Sequence, residues 1–206
     1  MATAAQRTAY ISQVADAIGG MSLGGLLPSV LIAQACLESG YGQSALAATY
    51  HNHFGLKVGS GTNYGGWNGQ RITLKTGEVV NGQKVTVSGT FKCFDSLQQC
   101  IIERNGLLSS TNRYRPCLKE VTPRGQIMAI CNGGYATAEN YVPAIMEIIE
   151  SNNLERFDPH SSPDERVPSA SANKKKTYKM STKTLSIIVL AAGATLAALG
   201  AYNLFM

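Results

Sequence analysis

The sequence predicts an α+β domain, mainly helical with one small β-hairpin lobe, followed by a linker and an apolar C-terminal helix. Three observations lead there. Apolar residues recur at helical spacing in several blocks between residues 1 and 158. One stretch alternates in the manner of strands around an Asn-Gly dipeptide. The 22 residues from Leu185 to Met206 carry no charge.

The elements follow in order. Tyr10, Ile11, Val14 and Ile18 lie at helical intervals, so Met1 to Ile18 reads as the first helix of the domain and not as a secretory signal. Pro28 suits a first helical position and Gly40 the residue after a helix end, which brackets a helix over 28–39. Gly59 to Gly69 reads as a mobile loop around Trp67, the chain's one tryptophan. Arg71–Thr76 and Val79–Phe94 alternate as strands, and Asn81-Gly82 supplies a tight hairpin turn. Asp95 is expected to cap a helix running to about Ser109, with Gln98 completing a capping box. Thr122-Pro123 opens another helix that Gly133 closes. A last helix is expected from Glu139 to Asn152, with Pro143 kinking its start. Helices around one hairpin give a minor sheet.

Composition bounds what such a domain can do. The chain has 206 residues, 44% hydrophobic and 15% charged, which suits one globular domain with appendages. The net charge of +5 is unevenly spread: +1 over residues 1–158 and +4 over 159–206. The folded part is therefore no trap for polyanions, and nucleic acid is excluded as a partner. Five cysteines without a C-x-x-C pair argue against a zinc knuckle, a redox dithiol or a disulfide scaffold, and most are expected to be buried free thiols. His51 and His53 are two apart with no H-E-x-x-H, so neither a metal nor a cofactor is expected.

Three zones result: a domain over 1–158, a Pro/Ser/Lys-rich linker over 159–184, and a transmembrane helix over 185–206. The linker has almost no large apolar residues and cannot build a core. A helix of the last 22 residues would reach about 33 Å, enough for the hydrocarbon of a bilayer. Lys174, Lys175, Lys176, Lys179 and Lys183 precede it as a basic flank, which favours the anionic cytoplasmic face. Membrane lipid is thus an expected partner through 185–206.

The chemistry concentrates in PSVLIAQACLESGYGQSALAATYHNHFGLK, residues 28–57. Leu31, Ala35 and Glu38 follow at four and three residues, so Glu38 continues a largely apolar stripe. No Lys or Arg stands nearby in sequence to pair with it. It also occupies the last helical turn, where the dipole disfavours a negative charge. Burial and dipole both raise the pKa, and a carboxylic acid that keeps its proton near neutrality is what cleavage of a glycosidic bond requires. On periodicity alone, a solvent-facing glutamate at a helix end fits as well.

The runs A-Q-A-C-L-E-S-G-Y-G-Q-S, N-H-F-G-L-K at 52–57 and G-Y-A-T-A-E-N-Y at 134–141 resemble the glucosaminidase family of peptidoglycan hydrolases, glycoside hydrolase family 73. The resemblance covers about residues 5–158, with the motifs in the family's order. It implies a lysozyme-like helical fold with a β-lobe over a cleft. It also implies hydrolysis of the N-acetylglucosaminyl-β-1,4-N-acetylmuramyl bond, with peptidoglycan glycan strands as partner. By position it makes Glu38 the general acid. The T-G-E-V-V-N-G stretch nominates Glu78 as a second carboxylate, to activate water or to stabilise positive charge at the anomeric carbon; a solvated strand-end glutamate is the competing reading. Tyr135 matches the tyrosine of the G-Y-A-T block, where a phenol can orient the sugar or the water; a core tyrosine is the competing reading. The family commonly has Asp-Pro after this Thr, where Ala138-Glu139 stand here, and that loosens the placement of Tyr141.

Sugar binding needs flat apolar faces and amide partners, for which Tyr41, Asn52, Phe54 and Trp67 are candidates, with Tyr141 beside them. Phe54 also fits a plain core position, and Ser39 can serve the helix end. Three other readings stay open. A lytic transglycosylase would use the same acid without a second carboxylate and leave 1,6-anhydro ends. A tethered, non-catalytic wall-binding module would keep only the fold. A Cys36/His51 amidase or peptidase is disfavoured, because Cys36 lies mid-helix and not at a helix N-terminus. The expected setting is a phage-type lytic enzyme in a virion membrane or the bacterial inner membrane.

Overall fold

The computed structural model describes residues 2–80, 83–136, 138–159, 190–191 and 194–195. The chain opens with α1 (Ala4–Ile18), started by a reciprocal capping box between Thr3 and Gln6. It buries the predicted face of Tyr10, Ile11, Val14 and Ile18. Helix α2 (Pro28–Ser39) has eleven of its twelve residues buried and ends at Gly40 in the left-handed conformation. A helix buried on every side must be the core, and α1, the last two helices and the final turn of the domain pack on it. Each fully buried Leu or Ile here, such as Leu31 or Ile32, contributes about 1.5–3 kcal/mol. A short α3 (Ala45–Tyr50), capped by Ser44, was not foreseen from the sequence.

Strands β1 (Arg71–Val80) and β2 (Gln83–Lys92) pair antiparallel, with Arg71 opposite Lys92 and Val80 opposite Gln83. That register leaves two residues for the connection, as the Asn-Gly reading requires, although residues 81–82 themselves lie outside the described ones. Four elements follow: α4 (Leu97–Ser110), a 3-10 turn at Arg115–Lys119, α5 (Pro123–Asn132) and α6 (Tyr141–Ser151). A second 3-10 turn at Leu154–Phe157 closes the domain against α2. The cysteines are free, four buried and Cys131 partly so.

Several local expectations shift. The cap of α4 is Ser96, whose hydroxyl accepts from the Gln99 N–H, while the Gln99 side chain reaches back to Asp95. Asp and Ser are both good caps, and one residue of slippage separates the two solutions. Helix α6 starts at Tyr141, two residues later than expected, so Pro143 falls in its first turn, where a missing N–H costs nothing.

The Gly59–Gly69 loop, read from the sequence as mobile, is fastened to α4 over residues 64–67. The buried Glu103 carboxylate accepts from the N–H groups of Tyr64, Gly66 and Trp67 at 2.9, 3.0 and 3.2 Å. Two glycines permit the approach: a Cβ on Gly66 would lie 2.0 Å from the Gln99 carbonyl oxygen, and one on Gly106 2.2 Å from that of Tyr64.

Of the expected span 185–206, Leu190–Ala191 and Ala194–Thr195 are described, as a short antiparallel pair and not as helix; the rest, like residues 160–184, lies outside the described residues. Among the described residues no helix is long and apolar enough to cross a membrane.

Candidate active site

Glu38 sits in the last turn of α2, and the fold closes two tyrosines over it. Gly134, at φ +85°, reverses the chain after α5 so that the Tyr135 N–H reaches the Ile130 carbonyl. The Tyr135 ring then turns into the core against Tyr114 and Tyr141. Tyr141 is the first residue of α6. Its hydroxyl donates to Glu38 Oε1 at 2.6 Å, and the Tyr135 hydroxyl to Oε2 at 3.3 Å. Both tyrosines are 0% exposed and Glu38 is 3%, so the acid is the member of the group that reaches the surface.

Burial pushes the Glu38 carboxyl up to about 8. The Tyr141 hydrogen bond, the charge of Arg104 and the Tyr135 hydrogen bond pull the other way without cancelling it. The result is a carboxylic acid still protonated at neutral pH. Among the described residues no Lys or Arg pairs with Glu38 directly; the charge that reaches it is that of Arg104. It is far in sequence and arrives on α4, fully buried over the Phe54 ring, where it donates to Gln34 Oε1. Gln34 Nε2 in turn donates to the Tyr141 hydroxyl at 2.8 Å.

The other candidates fall in different places. Glu78 lies on β1 opposite Val85, near the hairpin end. Asn52 is buried with its amide spent inside the fold: Nδ2 donates to the carbonyls of Leu56 and Lys92, and Oδ1 accepts the Leu56 N–H. It ties the N-H-F-G turn to the end of β2. Phe54 is wholly buried beneath Arg104. Trp67 is 7% exposed, with its indole N–H on the Gln70 carbonyl and Lys92 4.7 Å from its ring centroid. Tyr41 is half-buried on the α1 side under Arg7. There it lines a groove of about 320 Å³ with Gln6, Gln13 and His51. Ser39 does serve the helix end, accepting the Gly42 N–H.

His53 is buried against Tyr10, its Nδ1 2.7 Å from that hydroxyl, and burial, with the neighbouring His51, lowers it to about 4. Among the described residues no cluster could hold a metal ion. Gln34 and Arg104 escaped the sequence reading. The available signals were a polar residue one turn before Glu38 on the same face, and an arginine between the Ile101-Ile102 and Leu107-Leu108 pairs of α4.

A mainly helical body, a two-stranded lobe and a buried glutamate at the end of a buried helix make this a lysozyme-like domain. The chain belongs to the Glucosaminidase family, described as mannosyl-glycoprotein endo-beta-N-acetylglucosaminidase, whose family model matches residues 14–154. It is 31% identical over 138 residues to the exo-glucosaminidase LytG of Bacillus subtilis (strain 168), covering 65% of this chain and 46% of that protein. It is 37% identical over 145 residues to a probable N-acetylmuramidase of Lactococcus lactis subsp. lactis (strain IL1403), covering 67% and 31%. The chain thus spans less than half the length of these curated relatives. Its structure is similar to the catalytic domain of the autolysin Auto from Listeria monocytogenes, with a TM-score of 0.61 at 26% identity over 77% of this chain and 90% of that one.

Proposed function

We propose that the domain hydrolyses the N-acetylglucosaminyl-β-1,4-N-acetylmuramyl bond of peptidoglycan, with Glu38 as general acid. The observation that carries this reading is a carboxyl 3% exposed, held by two phenols and pushed by burial to about 8. The proton passes from Glu38 to the glycosidic oxygen as the bond to the anomeric carbon breaks. Water supplies hydroxide to that carbon, its remaining proton leaves to the base that activates it, and Glu38 regains a proton from solvent. Tyr135 and Tyr141 donate to the carboxylate that forms, which stabilises the charge left behind. In this reading Glu78, carried on the hairpin, activates the water or stabilises charge at the anomeric carbon.

Two relatives named as an exo-glucosaminidase and a probable N-acetylmuramidase support the wall glycan as substrate and make the bond the point to test. The proposal includes a single-pass anchor at 185–206 in a virion or bacterial inner membrane, as in a phage lytic enzyme. Its support is the uncharged run and the five lysines before it.

Cell-wall suspensions and mass spectrometry of the products test the activity. The wild type is expected to release fragments ending in reducing N-acetylglucosamine, and Glu38→Gln to lose about 10²–10⁴-fold in rate. Ends in N-acetylmuramic acid would move the cut to the other bond, and 1,6-anhydro ends would make the enzyme a transglycosylase. Equal clearing by wild type and Glu38→Gln would end the proposal. The full chain is expected to stay with the membrane after carbonate extraction; a soluble chain would remove the anchor.

A further inference from the structure

The two oxygens of Glu38 are not equivalent, and the asymmetry begins at Arg104. A guanidinium only donates, so the atom of Gln34 that meets it must be the amide oxygen. That orientation sends the Gln34 NH₂ toward Tyr141, 2.8 Å from its hydroxyl oxygen. An NH₂ also only donates, so the Tyr141 oxygen accepts there. A phenol has one proton, and with one side engaged as acceptor it points the proton at Glu38 Oε1, 2.6 Å away. An oxygen that receives a short donor is the carbonyl-like one of a carboxylic acid. The hydroxyl is then left to Oε2, whose neighbour is the longer contact of 3.3 Å to Tyr135.

We propose that Arg104 and Gln34 are positioning residues that set a one-way polarity through Tyr141, so that Glu38 carries its acidic proton on Oε2 and delivers it from that oxygen. The inference rests on Glu38 as the acid of the proposed reaction. A cation placed directly on Glu38 would hold the carboxylate and abolish the acid. Routed through an amide and a phenol, the same cation fixes direction while the carboxyl keeps its proton. Both intermediates are buried, at 0% exposure, so water cannot scramble the order of donors and acceptors.

The test reads Glu38 directly, by ¹³C-detected titration of its side-chain carboxyl without substrate. Gln34→Met keeps the volume and removes both ends of the link. The Tyr141 hydroxyl is then free to reverse and accept a proton from Oε1, which stabilises the neutral acid. The titration midpoint is expected to rise by at least about half a pH unit. In turnover, kcat is expected to fall by about tenfold with KM little changed. In the Tyr141→Phe background, Gln34→Met is expected to add nothing.

Equal upward shifts in the two backgrounds would overturn the relay, as would a folded Gln34→Met whose midpoint and kcat match the wild type. If Gln34→Met does not fold, Gln34→Glu keeps a partner for Arg104 but offers Tyr141 no donor. Its shift contains a charge effect that persists in Tyr141→Phe, so a smaller shift in that background supports the relay and an equal one refutes it. Because the titration needs no substrate, inactivity toward cell walls would defeat the proposed function and leave this measurement standing.

Discussion

Glu38 and Glu103 lie at nearly the same depth, 3% and 1% exposed, and their surroundings are opposite. Glu103 has Lys92 Nζ at 2.5 Å on one oxygen and three backbone N–H groups on the other. Glu38 has two phenols, and its nearest cation works through two other side chains. Charged and backbone donors in number make a carboxylate into a fastening. Neutral donors in a dry site leave a carboxyl that prefers its proton. Depth of burial therefore says little about what a buried acid does; the kind of donor around it decides.

Removing each carboxylate in turn gives the sharpest contrast. Glu103→Gln leaves the Lys92 ammonium buried without its counter-charge and weakens the hold on the 64–67 loop. Urea unfolding is expected to show a loss of about 3–5 kcal/mol. Glu38→Gln replaces a neutral carboxyl with a neutral amide and is expected to cost no stability at neutral pH, while turnover falls by about 10²–10⁴-fold. If Glu103→Gln proves as stable as the wild type, the fastening role is wrong.

The pH dependence of stability separates the pair next. The folded Glu38 carboxyl stands at about 8 against an ordinary value of 4.5, so the folded chain holds a proton that the unfolded chain gives up. The associated stability is complete below pH 4.5 and is lost as the pH rises toward 8. Relative to Glu38→Gln, the wild type is expected to lose up to about 1.4 kcal/mol per pH unit across that window. Parallel pH profiles for the two proteins would show that Glu38 does not hold its proton on folding.

Sequence reading reached one of these acids and not the other, for physical reasons. Glu38 was legible because Pro28 and Gly40 bracket its helix and the apolar period runs into it. The hairpin register was legible because an Asn-Gly turn leaves one choice of pairing. Glu103 and Arg104 stand side by side in an apolar stretch of α4, and adjacent helical residues face different ways. Each therefore needed its own distant partner, Lys92 on the hairpin and Gln34 on α2, and no local period names either. The Gly-rich loop reads as free because its anchor is a side chain that follows it by nearly forty positions.

A third carboxylate extends the comparison at the smallest scale. Helix α2 has Leu27 at its N-cap and so no side-chain cap of its own. Asp158 supplies one from the end of the domain, accepting the Ser29 N–H at 2.8 Å and the Ser29 hydroxyl at 2.7 Å. A negative charge suits this end of α2 and is disfavoured at the other, where Glu38 stands, so one helix dipole acts in opposite senses on its two acids. Asp158→Ala is expected to cost about 1 kcal/mol in unfolding. Asp158→Asn, which keeps an acceptor for Ser29, should cost less. Glu38 occupies the far turn of α2, so turnover by the folded Asp158→Ala protein should persist. Lost activity at full folding would mean that the cap sets the position of the acid as well as the stability of the helix.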